Sequence, residues 1–206
     1  MGTKSIVASI REGRTSVTVN LKKPSLRYID EFLRCNCAPD LIEMALFPNA
    51  KEITETFACY KAVRSLEGWV RVDNPEIVLV SVGDGGTPRT AATFAYRSRW
   101  RCYSVDPALG KKTRWGTIDR LTCVPRPIED WDAEGQKGVF GVVVVAVHSH
   151  ASLEAAVKLA MTMSTRVAVV ALPCCVKQEL WKDPDEIYDD WGIWSPERTV
   201  KIWRNV

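Results

Sequence analysis

The chain has 206 residues, of which 46% are hydrophobic and 26% charged, with a formal net charge of +3, which suits one globular domain of moderate size. No apolar run reaches the roughly 18 residues that a membrane-spanning helix needs, and the N-terminus lacks the apolar core of a signal peptide, so we expect neither a membrane protein nor a secreted one. Seven cysteines, an odd number scattered through the chain, favour a reducing cytoplasmic or nuclear compartment over a disulfide framework.

Residues 1–75 are predicted to form a strand and helical extension that packs on the main domain. Alternating polar and apolar residues predict a strand at 16–21, and three helices follow. Pro24 and Ser25 open the first helix, and Asp40 is expected to cap the second. The apolar face of the first helix is predicted to carry Leu26, Ile29, Phe32 and Leu33, and that of the third Ile53, Phe57, Tyr60, Val63 and Leu66.

Residues 76–206 alternate strands and helices, which predicts an α/β, Rossmann-like, doubly wound and mostly parallel sheet. Strands are expected at 77–82, 101–105, 121–124, 139–147 and 166–172, and helices at 87–99 and 152–164, with Ser152 as the cap of the latter. The first strand is almost continuously apolar, as expected for a strand that is buried on both faces. The end of the chain is predicted to be an antiparallel hairpin, with arms at 191–194 and 199–203.

The loop at residues 82–88 lies between the first of these strands and a helix. Its glycines, Gly83, Gly85 and Gly86, permit a sharp turn and a close approach to a ligand. Thr87 is expected to cap the following helix, and Pro88 suits its first turn. A ligand would then lie beside the helix N-terminus, at the carboxyl ends of the strands. Purely structural glycines are the competing interpretation.

Asp106 follows the second strand, 23 positions after Gly83. A carboxylate at this place is suited to accept hydrogen bonds from both ribose hydroxyls of a bound nucleoside, although an Asp-Pro turn has the same sequence. The geometry serves either NAD or S-adenosylmethionine. Pro88 occupies the position of the third glycine in the dinucleotide motif, which disfavours NAD.

With this loop, Asp106 and the terminal hairpin, residues 76–206 resemble class I S-adenosylmethionine-dependent methyltransferases. The resemblance implies S-adenosylmethionine as the cofactor, with Ser81 standing where these enzymes usually carry an acidic residue. His148 after the fourth strand and the pair Cys174-Cys175 after the fifth are similar to a subgroup that includes tRNA ribose methyltransferases. The implied cofactor-binding residues are Ser81, Gly83, Asp84, Gly85, Asp106, Ile128, Glu129 and His148.

His148 is also the predicted catalytic residue, because an imidazole there could orient an acceptor group or take its proton. A hydrogen-bonded histidine at a strand end is the alternative. Cys174 and Cys175 are predicted to be small packing residues beneath the acceptor pocket. A four-thiolate site with Cys35 and Cys37 is disfavoured because the spacings differ from the usual zinc pairs, so no metal is expected.

Two basic regions are compatible with a nucleic-acid partner. Residues 1–30 contain six Lys or Arg and two acidic residues. The segment from Arg97 to Arg114 mixes cations with Trp100 and Tyr103, and Trp115 follows it directly. A solvated surface explains the N-terminal charge equally well. The tryptophan-rich terminal hairpin is a candidate surface for a homo- or hetero-oligomer.

We therefore predict an S-adenosylmethionine-dependent methyltransferase that acts on RNA or another nucleic acid. Ser81, and the absence of an N-P-P-Y or D-P-P-Y motif, motivate the alternative of a catalytically silent binding or assembly protein with the same fold. An NAD-dependent oxidoreductase is the third hypothesis, which Pro88 disfavours.

Overall fold

A seven-stranded sheet forms the centre of the molecule in the computed structural model, which describes residues 4–9, 16–21, 25–110, 113–133 and 135–206. The strand order is β5-β4-β3-β6-β7-β9-β8. The strands are β3 (Ile77–Val82), β4 (Arg101–Val105), β5 (Leu121–Val124), β6 (Gly141–Val147), β7 (Val167–Leu172), β8 (Glu186–Asp189) and β9 (Thr199–Trp203).

The first five strands in this order, from β5 through β4, β3 and β6 to β7, run parallel. Strand β9 is antiparallel to both β7 and β8. The predicted α/β fold with a C-terminal antiparallel hairpin is therefore confirmed. The predicted first arm of the hairpin is wrong, because Glu186–Asp189 pairs with β9. Residues 190–194 form a loop instead, in which buried Asp190 accepts hydrogen bonds from the Tyr28 hydroxyl (2.5 Å) and the Gly192 amide (2.8 Å).

The part of the chain before the sheet contains a hairpin and three helices. Strands β1 (Lys4–Ser9) and β2 (Ser16–Leu21) pair with each other in a separate two-stranded sheet. The helices are α1 (Arg27–Leu33), α2 (Ala38–Glu43) and α3 (Ala50–Arg64), and Asn49 caps α3 by accepting a hydrogen bond from the Glu52 amide at 3.1 Å. The predicted strand and all three helices are present, while the domain division at residue 75 stays a prediction.

The two faces of the sheet are covered unequally. One face packs against α1, α2, α3 and α4 (Arg89–Arg97), and among the described helices only α5 (Leu153–Met163) packs on the other. Burial on both faces explains the continuous apolar sequences of β3, β6 and β7, in which every residue is buried. Ser152 caps α5 as predicted, by accepting a hydrogen bond from the Ala155 amide at 3.1 Å.

Three predicted details of the helices are wrong. Leu26 and Leu33 are 56% and 64% exposed, because the buried side chains at α1 are those of Tyr28 and Phe32. Asp40 lies inside α2 rather than at its N-cap. The Thr87 hydroxyl donates to the Leu46 carbonyl at 2.7 Å instead of capping α4. In the part of the chain that the structure describes, no helix is long and apolar enough to cross a membrane.

Candidate active site

The glycine loop after β3 has the backbone conformation that its sequence predicts. Gly83 and Gly85 have φ values of +74° and +75°, which side-chain-bearing residues rarely adopt. A Cβ at Gly83 would lie 2.0 Å from Ser149 Oγ and 2.7 Å from Ser149 Cβ. Gly83 therefore allows the loop after β3 to contact the loop after β6, which brings the ends of the two central strands together.

Asp84 lies inside this loop and is 2% exposed. Its carboxylate accepts hydrogen bonds from the amides of Thr90 (3.3 Å) and Ala91 (3.2 Å), and from the Ser104 hydroxyl (2.8 Å). A carboxylate is well placed there, because the first amides of a helix have no partners within the helix and carry partial positive charge. The side chain thus caps α4, and its predicted contact with a cofactor stays a prediction.

Asp106 connects the tip of β4 to the glycine loop. One carboxylate oxygen accepts a hydrogen bond from the Gly85 amide at 2.8 Å, and the other accepts one from the Ala108 amide at 2.7 Å. Each oxygen retains a second lone pair for a ligand. The two predicted site residues are therefore in direct contact, and the carboxylate is held in a defined orientation.

A cavity of about 370 Å³ opens beside Asp106, at the carboxyl ends of β4, β5 and β6. Ile128 and Glu129 of the short 3₁₀ turn Ile128–Asp130 line it on one side, and residues 150–152 line it on another. Ile128 is buried and Glu129 is exposed. Three predicted site residues, Asp106, Ile128 and Glu129, thus share one cavity that combines an apolar wall with carboxylates.

His148 is not among the residues that line this cavity. Even-numbered residues of β6, such as Ala146, face α5, and odd-numbered residues, such as Val147, face α3. A positive φ of +48° at His148 interrupts this alternation. The ring reaches α3, where its Nδ1 lies 3.4 Å from Glu55 Oε1. A left-handed conformation costs a non-glycine residue about 1–2 kcal/mol, so the surrounding structure must impose it.

Glu55 is the site residue that the sequence analysis missed. It is 1% exposed, and its Oε1 also lies 3.2 Å from Lys51 Nζ. On a helical projection Glu55 lies opposite the predicted apolar face of α3, and a charged residue on that side of a helix is expected to be exposed to solvent. In the structure the helix is covered on both sides, since the Thr54 hydroxyl next to Glu55 accepts a hydrogen bond from the Trp194 amide of the C-terminal loop. A Thr-Glu-Thr sequence inside a buried helix was the available signal.

Several buried polar atoms around this end of the sheet have no hydrogen-bond partner among the described residues. They include Ser81 Oγ of β3, Thr90 Oγ1 of α4 and His148 Nε2 at the tip of β6, and also Glu55 Oε1, which has only the two ion-pair contacts given above. A buried polar group without a partner costs roughly 1–3 kcal/mol. Ordered water, an ion or a ligand satisfies such groups in native proteins, so this end of the sheet is a candidate polar binding site.

The paired cysteines are not packing residues, so that prediction is wrong. Cys174 is half-buried, Cys175 is exposed, and both thiols are free. Cys175 Sγ lies 3.2 Å from His150 Nε2. Cys35 and Cys37 line a different cavity, with Arg34, Tyr96 and Arg97 among its other lining residues.

The cationic and aromatic surface predicted between Arg97 and Arg114 does not form as expected. Trp100 and Trp115 are buried in the core, with 0% and 1% exposure, and cannot stack on bases. Arg97 pairs with Glu31 at 2.9 Å. Arg99 and Arg101 lie at the amino end of β4, on the side of the sheet opposite the glycine loop, and Lys111 and Lys112 are outside the described residues.

No protein-family model matches the chain, and no curated protein matches its sequence. A mutant of MtNAS, solved in complex with S-adenosylmethionine, has a similar structure with a TM-score of 0.52 and 11% identity, over 86% of this chain and 69% of that chain. An rRNA methylase from Streptococcus thermophilus has a TM-score of 0.41 and 13% identity, over 76% of this chain and 96% of that chain. The 16S rRNA (adenine(1408)-N(1))-methyltransferase from Catenulisporales acidiphilia has a TM-score of 0.37 and 17% identity, over 71% of this chain and 90% of that chain.

At 11% identity, the similarity to MtNAS concerns the fold alone. In this chain the last strand inserts antiparallel between β7 and β8. The chain therefore has a Rossmann-like, mostly parallel α/β fold with a C-terminal antiparallel hairpin, and its cavity lies where open α/β sheets bind their ligands, at the carboxyl ends of the parallel strands.

Proposed function

We propose that this protein is an S-adenosylmethionine-dependent methyltransferase. The observation that carries the proposal is the joint geometry of Asp106, the Gly85 amide and the cavity lined by Ile128 and Glu129. An apolar wall, a fixed carboxylate and a helix N-terminus together match the base, the ribose and the polar end of a nucleoside ligand.

The residues present fit this ligand in three respects. The second lone pairs of Asp106 are available to ribose hydroxyls, because each oxygen accepts one hydrogen bond from the described residues. Ile128 offers an apolar surface to the adenine ring, and the exposed carboxylate of Glu129 is available to its amine. The unpartnered hydroxyls of Ser81 and Thr90 are suited to the polar amino-acid end.

Ions between α3 and α4 add to this fit. Arg89 at the start of α4 forms an ion pair with Glu52 of α3, and its guanidinium also donates to the Asp84 carbonyl. Arg89 thus brings a guanidinium, whose charge is balanced by Glu52, into contact with the glycine loop, where it is available to the carboxylate of an amino-acid ligand. Ser81 carries no charge, so the ammonium group of that ligand would be held by carbonyl groups and neutral oxygens.

S-adenosylmethionine supplies an electrophilic methyl group on a sulfonium, so the protein has to position the acceptor and remove its proton. His148 is the residue that we assign to this second task. Its Nε2 is buried without a partner, while Nδ1 faces the buried Glu55 carboxylate. A carboxylate at this distance favours the tautomer with its proton on Nδ1, and in that tautomer Nε2 is the proton acceptor.

We propose RNA or another nucleic acid as the class of acceptor. The support is the excess of Lys and Arg in residues 1–30, together with the basic sequence that follows β4. The arginines at the amino end of β4 give no support, because they lie away from the cavity.

The test has two stages, binding and transfer. Calorimetric titration with S-adenosylhomocysteine should give one site per chain. Asp106→Asn should weaken the affinity of that site. The control Asp73→Asn changes an exposed residue that does not line the cavity, and it should leave the affinity unchanged. Incubation with methyl-labelled S-adenosylmethionine and either RNA or protein substrates should then label RNA. Absence of binding in the first stage refutes the proposal, and labelling of protein alone refutes the acceptor class.

A catalytically silent binding protein is the second candidate, and Ser81 at the usual acidic position favours it. This candidate predicts binding of S-adenosylhomocysteine without label transfer to any acceptor. Transfer that is lost in His148→Asn but not in Asp73→Asn rules it out.

A further inference from the structure

Three metal-binding side chains converge where the loops after β6 and β7 meet. His150 Nε2 lies 3.2 Å from Cys175 Sγ, and Cys175 Sγ lies 3.8 Å from Cys174 Sγ. The ligand atoms of all three residues lie within 4.8 Å of one another. Nothing in the proposed methyl transfer uses these groups.

Two of the three separations are close to those of a tetrahedral zinc site. With Zn–S bonds of about 2.3 Å and Zn–N bonds of about 2.0–2.1 Å, tetrahedral angles place two sulfurs about 3.8 Å apart and a nitrogen and a sulfur about 3.6 Å apart. The two sulfurs are 3.8 Å apart, and His150 Nε2 lies 3.2 Å from Cys175 Sγ. The third pair, His150 and Cys174, lies within 4.8 Å, so a movement of the exposed His150 ring toward a position between the two sulfurs completes the geometry.

The two loops are already held together without an ion. Gln178 is 2% exposed, and its side-chain amide donates to the Ser149 carbonyl at 2.6 Å. This hydrogen bond links the segment after β7 to the residue immediately before His150. The ligands are thus arranged in advance, so the binding energy of an ion would not be spent on ordering the chain.

We propose that His150, Cys174 and Cys175 form a binding site for a thiophilic divalent cation, Zn²⁺, with an exogenous fourth ligand. Two thiolates and an imidazole favour zinc over calcium or magnesium, which prefer oxygen ligands. Binding releases two thiol protons, because only thiolates coordinate. Within the described part of the chain, the cluster contains no fourth histidine, cysteine or carboxylate, which leaves one coordination position for water or a small molecule.

The open coordination position of this site lies next to the cavity beside Asp106. His150 belongs both to the metal cluster and to the lining of the cavity beside Asp106. A cation held there lies at the rim of that cavity, and its fourth ligand is exchangeable because His150 and Cys175 are exposed. The site is therefore of the open kind that binds exogenous ligands, rather than the closed kind that serves structure alone.

The test is cobalt substitution, which reads the ligands directly and does not depend on methyl transfer. The reduced, full-length protein should bind one Co²⁺ per chain and show a thiolate-to-metal charge-transfer band, with visible bands of tetrahedral intensity. Addition of Zn²⁺ should abolish both signals. Added imidazole or 2-mercaptoethanol should shift the visible bands, because either molecule enters the open position.

Three variants test the assignment. Cys175→Ser and His150→Ala should each weaken Co²⁺ binding by at least about 10–100-fold, the range seen even for groups that only support metal ligands. Cys35→Ser is the matched control, because Cys35 lies outside the cluster, and it should leave the spectrum unchanged. Far-ultraviolet circular dichroism confirms that each variant is folded, which is expected because the substituted side chains lie in surface loops.

The proposal fails if the reduced wild-type protein binds no Co²⁺, or if Cys35→Ser abolishes binding as strongly as Cys175→Ser. It also fails if Cys174 and Cys175 are recovered from reducing buffer as a disulfide, two mass units lighter, that cannot take a metal. Loss of S-adenosylhomocysteine binding would not affect it, so the two proposals are tested separately.

Discussion

Substitution of Gly83 by alanine should destabilise the domain strongly, because a Cβ has no room at this position. The new atom would lie 2.0 Å from Ser149 Oγ and 2.7 Å from Ser149 Cβ. Rotation of the serine side chain would remove the first contact but not the second. Crowding of this kind costs about 1–3 kcal/mol, and the φ of +74° adds about 1–2 kcal/mol for a residue with a side chain. We expect a total loss of about 2–5 kcal/mol in the free energy of unfolding.

A second substitution separates these two costs. In Gly83→Ala/Ser149→Gly the two shortest contacts are removed, and the conformational cost is left together with one tight contact of 3.1 Å to the Cα of residue 149. Ser149→Gly alone should lose the hydrogen bond from the Ala151 amide to Ser149 Oγ, which is 3.0 Å long and worth about 0.5–1.5 kcal/mol. A double-mutant cycle corrects for this loss and should give a coupling energy of about 1–3 kcal/mol in favour of the pair.

Urea unfolding followed by tryptophan fluorescence measures these free energies, since Trp100 and Trp203 are buried and should report on the core. Gly116→Ala is the matched control, because a Cβ there meets nothing within 4 Å. It should change stability by less than about 0.5 kcal/mol. If Gly83→Ala is equally mild, or if the cycle shows no coupling to Ser149, then the close approach of the two loops is not what requires a glycine.

Four further variants test the site and the packing around it. Asp106→Asn should weaken S-adenosylhomocysteine binding about 10–100-fold in calorimetry, the equivalent of about 1.5–3 kcal/mol for a charged hydrogen bond. His148→Asn should lower kcat about 10²–10⁴-fold while leaving that affinity little changed. Asp190→Asn should reduce the free energy of unfolding by about 1–3 kcal/mol, because it weakens the buried hydrogen bond from Tyr28 of α1 and the one from the Gly192 amide within the C-terminal loop. Burial raises the pKa of the Cys123 thiol from 9.0 to about 11. Between these two pH values the folded chain keeps a proton that the unfolded chain releases, so the free energy of unfolding should fall as the pH rises from 9 to 11. The fall should be less steep in Cys123→Ala, which lacks the thiol.

Each of these expectations has an outcome that contradicts it. Unchanged affinity in Asp106→Asn would place the ribose elsewhere. An unchanged kcat in His148→Asn would show that the ring only packs, and a rise in KM without a change in kcat would limit it to acceptor binding. Wild-type stability in Asp190→Asn would mean that the charge of the buried carboxylate does not stabilise the contact between α1 and the C-terminal loop. Identical pH slopes for wild-type and Cys123→Ala would refute the assigned thiol pKa.

The sheet was predictable because its central strands bury both faces. Residues 77–82 are almost continuously apolar and become β3 with the predicted bounds. The terminal hairpin was harder, since β8 contains Glu186, Tyr188 and Asp189 and is largely exposed. A mostly polar edge strand has no apolar pattern, whereas residues 191–194 do have one and form a loop.

The contact between two of the predicted site residues was also predictable. Gly85 and Asp106 follow neighbouring parallel strands, and parallel strands bring their carboxyl ends to one edge of the sheet, so the observed contact between them follows from the topology. The direction of the His148 side chain was not predictable, because it depends on a positive φ at a non-glycine residue. Glu55 could not be recognised either, since the element that covers its side of α3 comes from the other end of the chain.

The sequence by itself determined the strands, the glycine turn and the position of Asp106, because these depend on local patterns and on the direction of parallel strands. Only the tertiary structure decided how the remaining polar groups are used. It assigned Asp84 to the cap of α4, turned His148 toward Glu55, and placed Cys175 against His150, 25 residues away in the chain. These contacts join loops and helices that are distant in sequence, and their formation depends on the packing of the whole domain rather than on any local pattern.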